Sequence, residues 1–182
     1  MSLISYEELC SFVEQGIIEG VDLKDVNGTS IDVHLGPKIL VEQYTPYNNT
    51  VSLRDKDQLT MGEEDITGRF WDLRPKSFIL AHTKEKFNLP HDISIEFKLN
   101  SSGARVGLEN ALATWGDPGW HGSTMTLELT NLTNWHTIRL HDGCRIGQII
   151  FWRSEPVPKD RSYTVRGRYN NDESVQQVKD VR

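Results

Sequence analysis

The chain has 182 residues, enough to bury one core and short for two domains of usual size. Hydrophobic residues make up 37% and charged residues 25%, the balance of a soluble globular chain, and a net charge of −6 with a pI near 5.5 excludes the basic footprint of a general nucleic-acid binder. Cys10 and Cys144 form neither a CxxC pair nor a disulfide framework, no basic–apolar leader opens the chain, and no run approaches the ~18 apolar residues that cross a bilayer, so a reducing, cytoplasmic setting away from membranes is expected.

Residues 5–15 read as a helix: Ser5 and Glu8 form an S-x-x-E capping box, Leu9, Phe12 and Val13 make an apolar stripe, and Gly16 is the stop. Beyond it the hydrophobic period changes from helical to two. Ser30–Gly36 alternates, then Tyr44–Thr67 is a polar surface excursion, read as a hairpin, that carries one of several short N-x-[ST] triplets at Asn48. Phe78–Leu80 is a uniformly apolar strand, and the turn Leu89-Pro-His-Asp92 leads into the alternating strand Ile93–Leu99. In Thr124–Thr130 the alternation sets Met125, Leu127 and Leu129 on one face and Thr124, Thr126, Glu128 and Thr130 on the other. Ile146–Trp152 reads as a strand buried on both faces. Residues 156–182 carry too little apolar surface to order alone, so a frayed tail, or one ordered by a ligand or a neighbouring subunit, is expected. Many short strands between turns predict a mainly β, single-domain fold with one short N-terminal helix.

Three blocks hold side chains suited to chemistry. Asn100-Ser-Ser-Gly-Ala-Arg105-Val-Gly107 offers hydroxyls, glycine amides and a guanidinium for an anion, although a plain surface turn has the same composition. In Asp117-Pro-Gly-Trp120-His-Gly122 a tight turn explains Pro118 and Gly119 but not Trp120. Glu128 stands on a threonine face, where a solvated carboxylate is the ordinary reading. The six histidines are scattered at no metal-ligand spacing, and the H-x-E…P-C-x-x-C signature of zinc deaminases is absent, so no zinc is expected.

Taken in order, these blocks resemble the dCTP deaminase/dUTPase family over residues 30–150, its dCTP deaminase branch above all. Ser30-Ile-Asp-Val-His-Leu-Gly36 is similar to an S-x-D-V-x-L-G strand, Phe78–Pro90 to the family's strand and turn ending in L-P, and Ser101–Leu108 to S-S-x-A-R-x-G-L. Asp117–Gly122, Leu127-Glu-Leu129 and Arg145-Ile-Gly-Gln-Ile-Ile150 follow in the family's order. The resemblance implies a distorted jelly-roll or β-clip dUTPase-like barrel, homotrimeric, with sites shared between subunits.

The same resemblance implies a metal-free deamination of dCTP to dUTP and ammonia, on the route to dTTP. Glu128 would take a proton from the attacking water, with Ser101 and Arg105 holding that water. Ala113 main chain would read the base, Asp117 the 3′-hydroxyl, and Asn100, Ser102, Gly103 and Ala104 the phosphates; Asn110, Trp120, Thr126 and Leu127 would complete the substrate site. Tyr163, Arg168 and Tyr169, within a tail at 156–182, would close as a lid. Mg²⁺ would arrive on the triphosphate, and dTTP is the implied inhibitor. Three positions depart from the family pattern: Asn100 stands where relatives carry Arg or Lys, Asn110 where they often carry His, and Asp172 where they carry an amide and where its charge would repel phosphate. Alternative readings are a bifunctional deaminase–diphosphatase releasing dUMP, a dUTPase alone, which Glu128 disfavours, and a silent nucleotide-binding regulator.

Overall fold

The computed structural model describes residues 1–46, 50–111 and 113–179; the two asparagines of the Asn48 triplet and the last three residues of the tail lie outside them. In chain order come β1 (Ser2–Leu3), α1 (Tyr6–Glu14), β2 (Ile18–Glu19), a single 3₁₀ turn, β3 (Ile31–His34), β4 (Lys38–Glu42) and β5 (Met61–Asp65). There follow β6 (Phe70–Leu73), β7 (Phe78–Asn88), β8 (Ile93–Leu99), α2 (Ser101–Arg105), β9 (Leu108–Asn110) and β10 (Trp115–Gly116). The chain ends with β11 (His121–Asn131), β12 (Ile138–His141), β13 (Arg145–Arg153) and the short α3 (Tyr163–Arg166).

The fold is mainly β, as the two-residue period predicts, and the pairings are antiparallel. One sheet runs β1-β13-β8-β10, with β3 also on β13; a second runs β5-β4-β7-β11-β9, with β2 also on β7; β6 and β12 form a separate ribbon. The inward faces of these strands meet in one core that includes Ile31, Val33, Ile79, Ala81, Ile93, Ile95, Leu127, Leu129, Ile149 and Phe151, each fully buried. Each of these side chains other than Ala81 contributes about 1.5–3 kcal/mol by leaving water.

Helix α1 packs Leu9 and Phe12 onto the core, with Phe12 edge-on to Phe151 at 5.5 Å between ring centroids. The expected capping box does not form. Ser5 makes no side-chain cap, and the Glu8 carboxylate is drawn instead to Arg153 at the end of β13, tying the helix to the sheet. The stop at Gly16 is as read: its φ of +70° lets Gly16 N–H reach Val13 C=O and Ile17 N–H reach Phe12 C=O, a Schellman end.

Three further expectations change. The polar excursion supplies β5, which pairs with β4 from Lys38↔Asp65 to Glu42↔Met61. Strand β13 alternates within one chain, because Gln148, Ile150 and Trp152 stay half-buried while Ile149 and Phe151 are sealed. The tail orders on its own chain. Main-chain hydrogen bonds run from Tyr163 N–H to Pro118 C=O (3.0 Å), Asn171 N–H to His121 C=O (3.0 Å) and Thr124 N–H to Asp172 C=O (2.9 Å). Hydrogen bonding thus supplies what apolar burial could not, with Val175 and the fully buried Ser162 as anchors. Among the described residues no helix is long and apolar enough to cross a membrane.

Candidate active site

β11 lies between β7 and β9, and its alternation sends Leu127 into the core and Glu128 to the other side. There Glu128 faces a cavity of about 420 Å³ whose walls include Ala113, Trp115, Asp117, Thr126, Tyr163 and Tyr169, a volume suited to a small ligand. One carboxylate oxygen, Oε2, is buried with no hydrogen-bond partner among the described residues. Burial pushes the Glu128 pKa up to about 7, with a contact to its own main-chain amide as a partial offset.

The turn Asp117–Trp120 gives the wall its two end residues. Gly119 has a φ of +86°, and Trp120 N–H closes the turn on Asp117 C=O at 3.1 Å, the geometry of a type II turn with Pro at its second position. Trp115 Nε1 donates to Asp117 Oδ1 at 3.1 Å, which holds one carboxylate oxygen. Trp120 stacks on Phe87 at 5.4 Å and donates its indole N–H to Tyr169 C=O at 2.7 Å. It therefore joins core, turn and tail while its ring also lines the cavity.

The tail forms the cover. Ser162 accepts from Thr164 N–H and meets His91 Nδ1 at 2.9 Å, fixing the start of α3, so that Tyr163 and Tyr169 face the cavity. Asp172 also lines it, but the anticipated repulsion is met inside the chain: Lys179 Nζ donates to both carboxylate oxygens, at 2.5 and 2.6 Å. Asp172, Gln176 and Gln177 belong to the wall by geometry; nothing in the two glutamines' sequence context marks them. Leu80, across from Glu128 on β7, was equally unmarked.

Glu128, Asp117, Ala113, Trp120, Thr126, Tyr163 and Tyr169 thus come together in one chain. Other candidates do not. The Ser/Gly block is the helix α2 rather than a turn, capped by Asn100, whose Oδ1 accepts from Gly103 N–H at 2.6 Å and whose Nδ2 donates to Arg145 C=O at 2.8 Å. That amide is engaged at both ends, which explains a neutral residue here. Ser101, Ser102, Gly103, Ala104 and Arg105 lie outside the cavity walls, and Arg105 Nη1 donates to Ser101 Oγ at 2.9 Å on the exposed surface. Arg168 is not a wall residue either, and Leu127 is sealed in the core, leaving at most its main chain for a ligand. Asn110 is buried against the back of Glu128. Among the described residues no group of three His, Cys, Asp or Glu side chains is placed to hold a metal ion.

Residues 3–154 match the family described as DCD: dCTP deaminase-like. The chain is 35% identical over 147 residues to the "dCTP deaminase, dUMP-forming" of Methanospirillum hungatei, covering 79% of this chain and 77% of that one. It is 37% identical over 129 residues to the protein of the same name from Mycobacterium leprae, covering 70% and 67% respectively. The crystal structure of 2′-deoxycytidine 5′-triphosphate deaminase from Agrobacterium tumefaciens superposes with a TM-score of 0.65 at 21% identity over 83% of this chain; the present chain spans about half (47%) of that longer one, and the likeness is one of fold. On the match across most of its length, the chain belongs to the dCTP deaminase-like family.

Proposed function

We propose that this protein deaminates dCTP and carries the product on to dUMP. Water and dCTP give dUTP and ammonia; a second water and dUTP give dUMP and pyrophosphate. Release at dUTP is the reading the sequence puts first, and the dUMP-forming name shared by the relatives favours the longer course. The observation that carries the deaminase half is Glu128 facing a cavity of about 420 Å³, its Oε2 buried and without a hydrogen-bond partner among the described residues.

A carboxyl that titrates near neutrality can both accept and return a proton. Glu128 takes one from water as the oxygen adds to C4 of cytosine, delivers it to N3, and assists departure of the amino group as ammonia. Asp117, with one oxygen on Trp115, binds the 3′-hydroxyl through the other, while Ala113 main chain reads the base edge. Tyr163 and Tyr169 exclude water from above. Ser101 and Arg105, outside their own chain's cavity, enter that of a neighbouring copy in a homotrimer, where they hold the water and, with Ser102, the phosphates. Mg²⁺ comes as part of the triphosphate substrate, and dTTP competes for the same cavity.

The test is product analysis with dCTP and dUTP supplied separately with Mg²⁺. Ammonia, pyrophosphate and dUMP from dCTP are expected. Accumulation of dUTP would leave a deaminase alone; dUMP from dUTP with dCTP untouched would leave a dUTPase; tight binding without turnover of either would leave a regulator.

A further inference from the structure

Asn110 ends β9 with 5% of its surface exposed, and both ends of its amide are bound to main chain. Oδ1 accepts the Glu128 N–H at 2.9 Å, and Nδ2 donates to Ala111 C=O at 3.0 Å. Ala111 N–H in turn donates to Glu128 C=O at 3.1 Å. The β9–β11 register closes at Asn110↔Leu129, so at Glu128 a side-chain amide stands where a continuing strand would have offered a carbonyl. From there the chain leaves the sheet and supplies the wall residues Ala113, Trp115 and Asp117. Asn110 itself does not line the cavity.

We infer that Asn110 is a positioning residue: its amide fixes the main chain of Glu128 to the segment that becomes the cavity wall, and so sets where the carboxylate stands relative to the base. The inference rests on Glu128 being the proton carrier. It also gives a reason for a neutral group. Asp117, Asp172, Tyr163 and Tyr169 share the cavity with Glu128, His82 lies opposite Thr126 on β7, and Glu109 accepts the Asn110 N–H at 3.0 Å. Asp172 is paired with Lys179 and Asp117 with the Trp115 indole. An ionised side chain at position 110 would add a buried negative charge directly behind the carboxylate and hold its proton more tightly.

The experiment is steady-state turnover of dCTP from pH 5 to 9 by Asn110→Leu, which keeps the branched outline without the acceptor, and Asn110→Asp, which keeps the shape and adds charge. Asn110→Leu is expected to lower kcat about tenfold with KM within about twofold, since the residue touches no substrate. Asn110→Asp is expected to move the acid limb of kcat up by about one pH unit. Wild-type kcat in Asn110→Leu, a loss confined to KM, or an unmoved limb in Asn110→Asp would overturn the inference. If the leucine variant does not fold, Asn110→Ala removes the same acceptor without added volume and is read the same way. Glu128→Gln separates the two readings. Turnover in that variant removes the proton-carrier role; an inactive Glu128→Gln beside unaffected Asn110 variants removes only the positioning role.

Discussion

Glu128 leaves one oxygen without a partner among the described residues, and desolvation holds its pKa near 7. Glu128→Gln keeps the shape and loses the proton, so turnover is expected to vanish while dCTP binding and subunit association persist. Activity at a tenth of wild type would remove the general-base role. The same shift links to stability. The folded value lies above the ordinary 4.5, so folding favours the protonated form; that contribution is full below pH 4.5 and is lost as pH rises through about 7. The stability of Glu128→Gln relative to wild type should therefore climb between pH 4.5 and 8, by about 2 kcal/mol once solvent screening through the cavity mouth is allowed for, as read by urea melts across that range. Sequence alone places Glu128 on the threonine face through the two-residue period. It cannot say that this face is covered, because the cover comes from residues more than thirty positions away. Asn100 and Asn110 show the same limit: their types are legible as departures from the family pattern, whereas their capping and clamping roles depend on which main-chain groups come within 3 Å.

The tail is the element that composition describes least well. Between Ser162 and Lys179 it is held by the turn at Asp117–Trp120, by β11 and by internal pairs such as Asp172–Lys179, contacts of hydrogen-bonding groups that a hydropathy pattern does not register. Strand β8, by contrast, is legible residue for residue, and β11 over Thr124–Thr130 of its longer His121–Asn131 span, because one face of each is core and alternation records it. The turn and the tail meet at Gly119. A Cβ there would collide with Ser162 Oγ and crowd Thr164 Oγ1, and the φ of +86° disfavours any side chain. Gly119→Ala is therefore expected to release α3 while leaving the sheets intact. Trypsin should cut at Arg161, Arg166 or Arg168 about tenfold faster than in wild type, KM for dCTP should rise, and far-UV circular dichroism should be unchanged. Equal cleavage rates would mean that the turn does not hold the tail.

At the level of the whole molecule the residues proposed for the site lie in two places. Glu128 and Asp117 line a cavity that contains no part of α2, while Ser101 and Arg105 hydrogen-bond to each other on the outer surface. Beside α2, Val106, Leu132 and Trp135 are 56%, 52% and 88% exposed, and Leu132 N–H donates to Gly107 C=O, so apolar surface continues from the helix into the neighbouring turn. A cyclic assembly would bury that surface and deliver α2 to the cavity of the next copy, each subunit giving Arg105 in one direction and Glu128 in the other. Mixing two inactive variants tests this directly. In homotrimers of Arg105→Ala every site lacks the guanidinium, and in homotrimers of Glu128→Gln every site lacks the carboxylate. After co-refolding at equal amounts, a site regains both groups when its cavity belongs to an Arg105→Ala subunit and its helix to a Glu128→Gln subunit, which random assembly supplies at about a quarter of sites. Recovery of about a quarter of wild-type dCTP turnover is therefore expected. If both groups acted within a single chain, every site in the mixture would still lack one of them, and activity would stay at the level of the separate variants however long the subunits were allowed to mix.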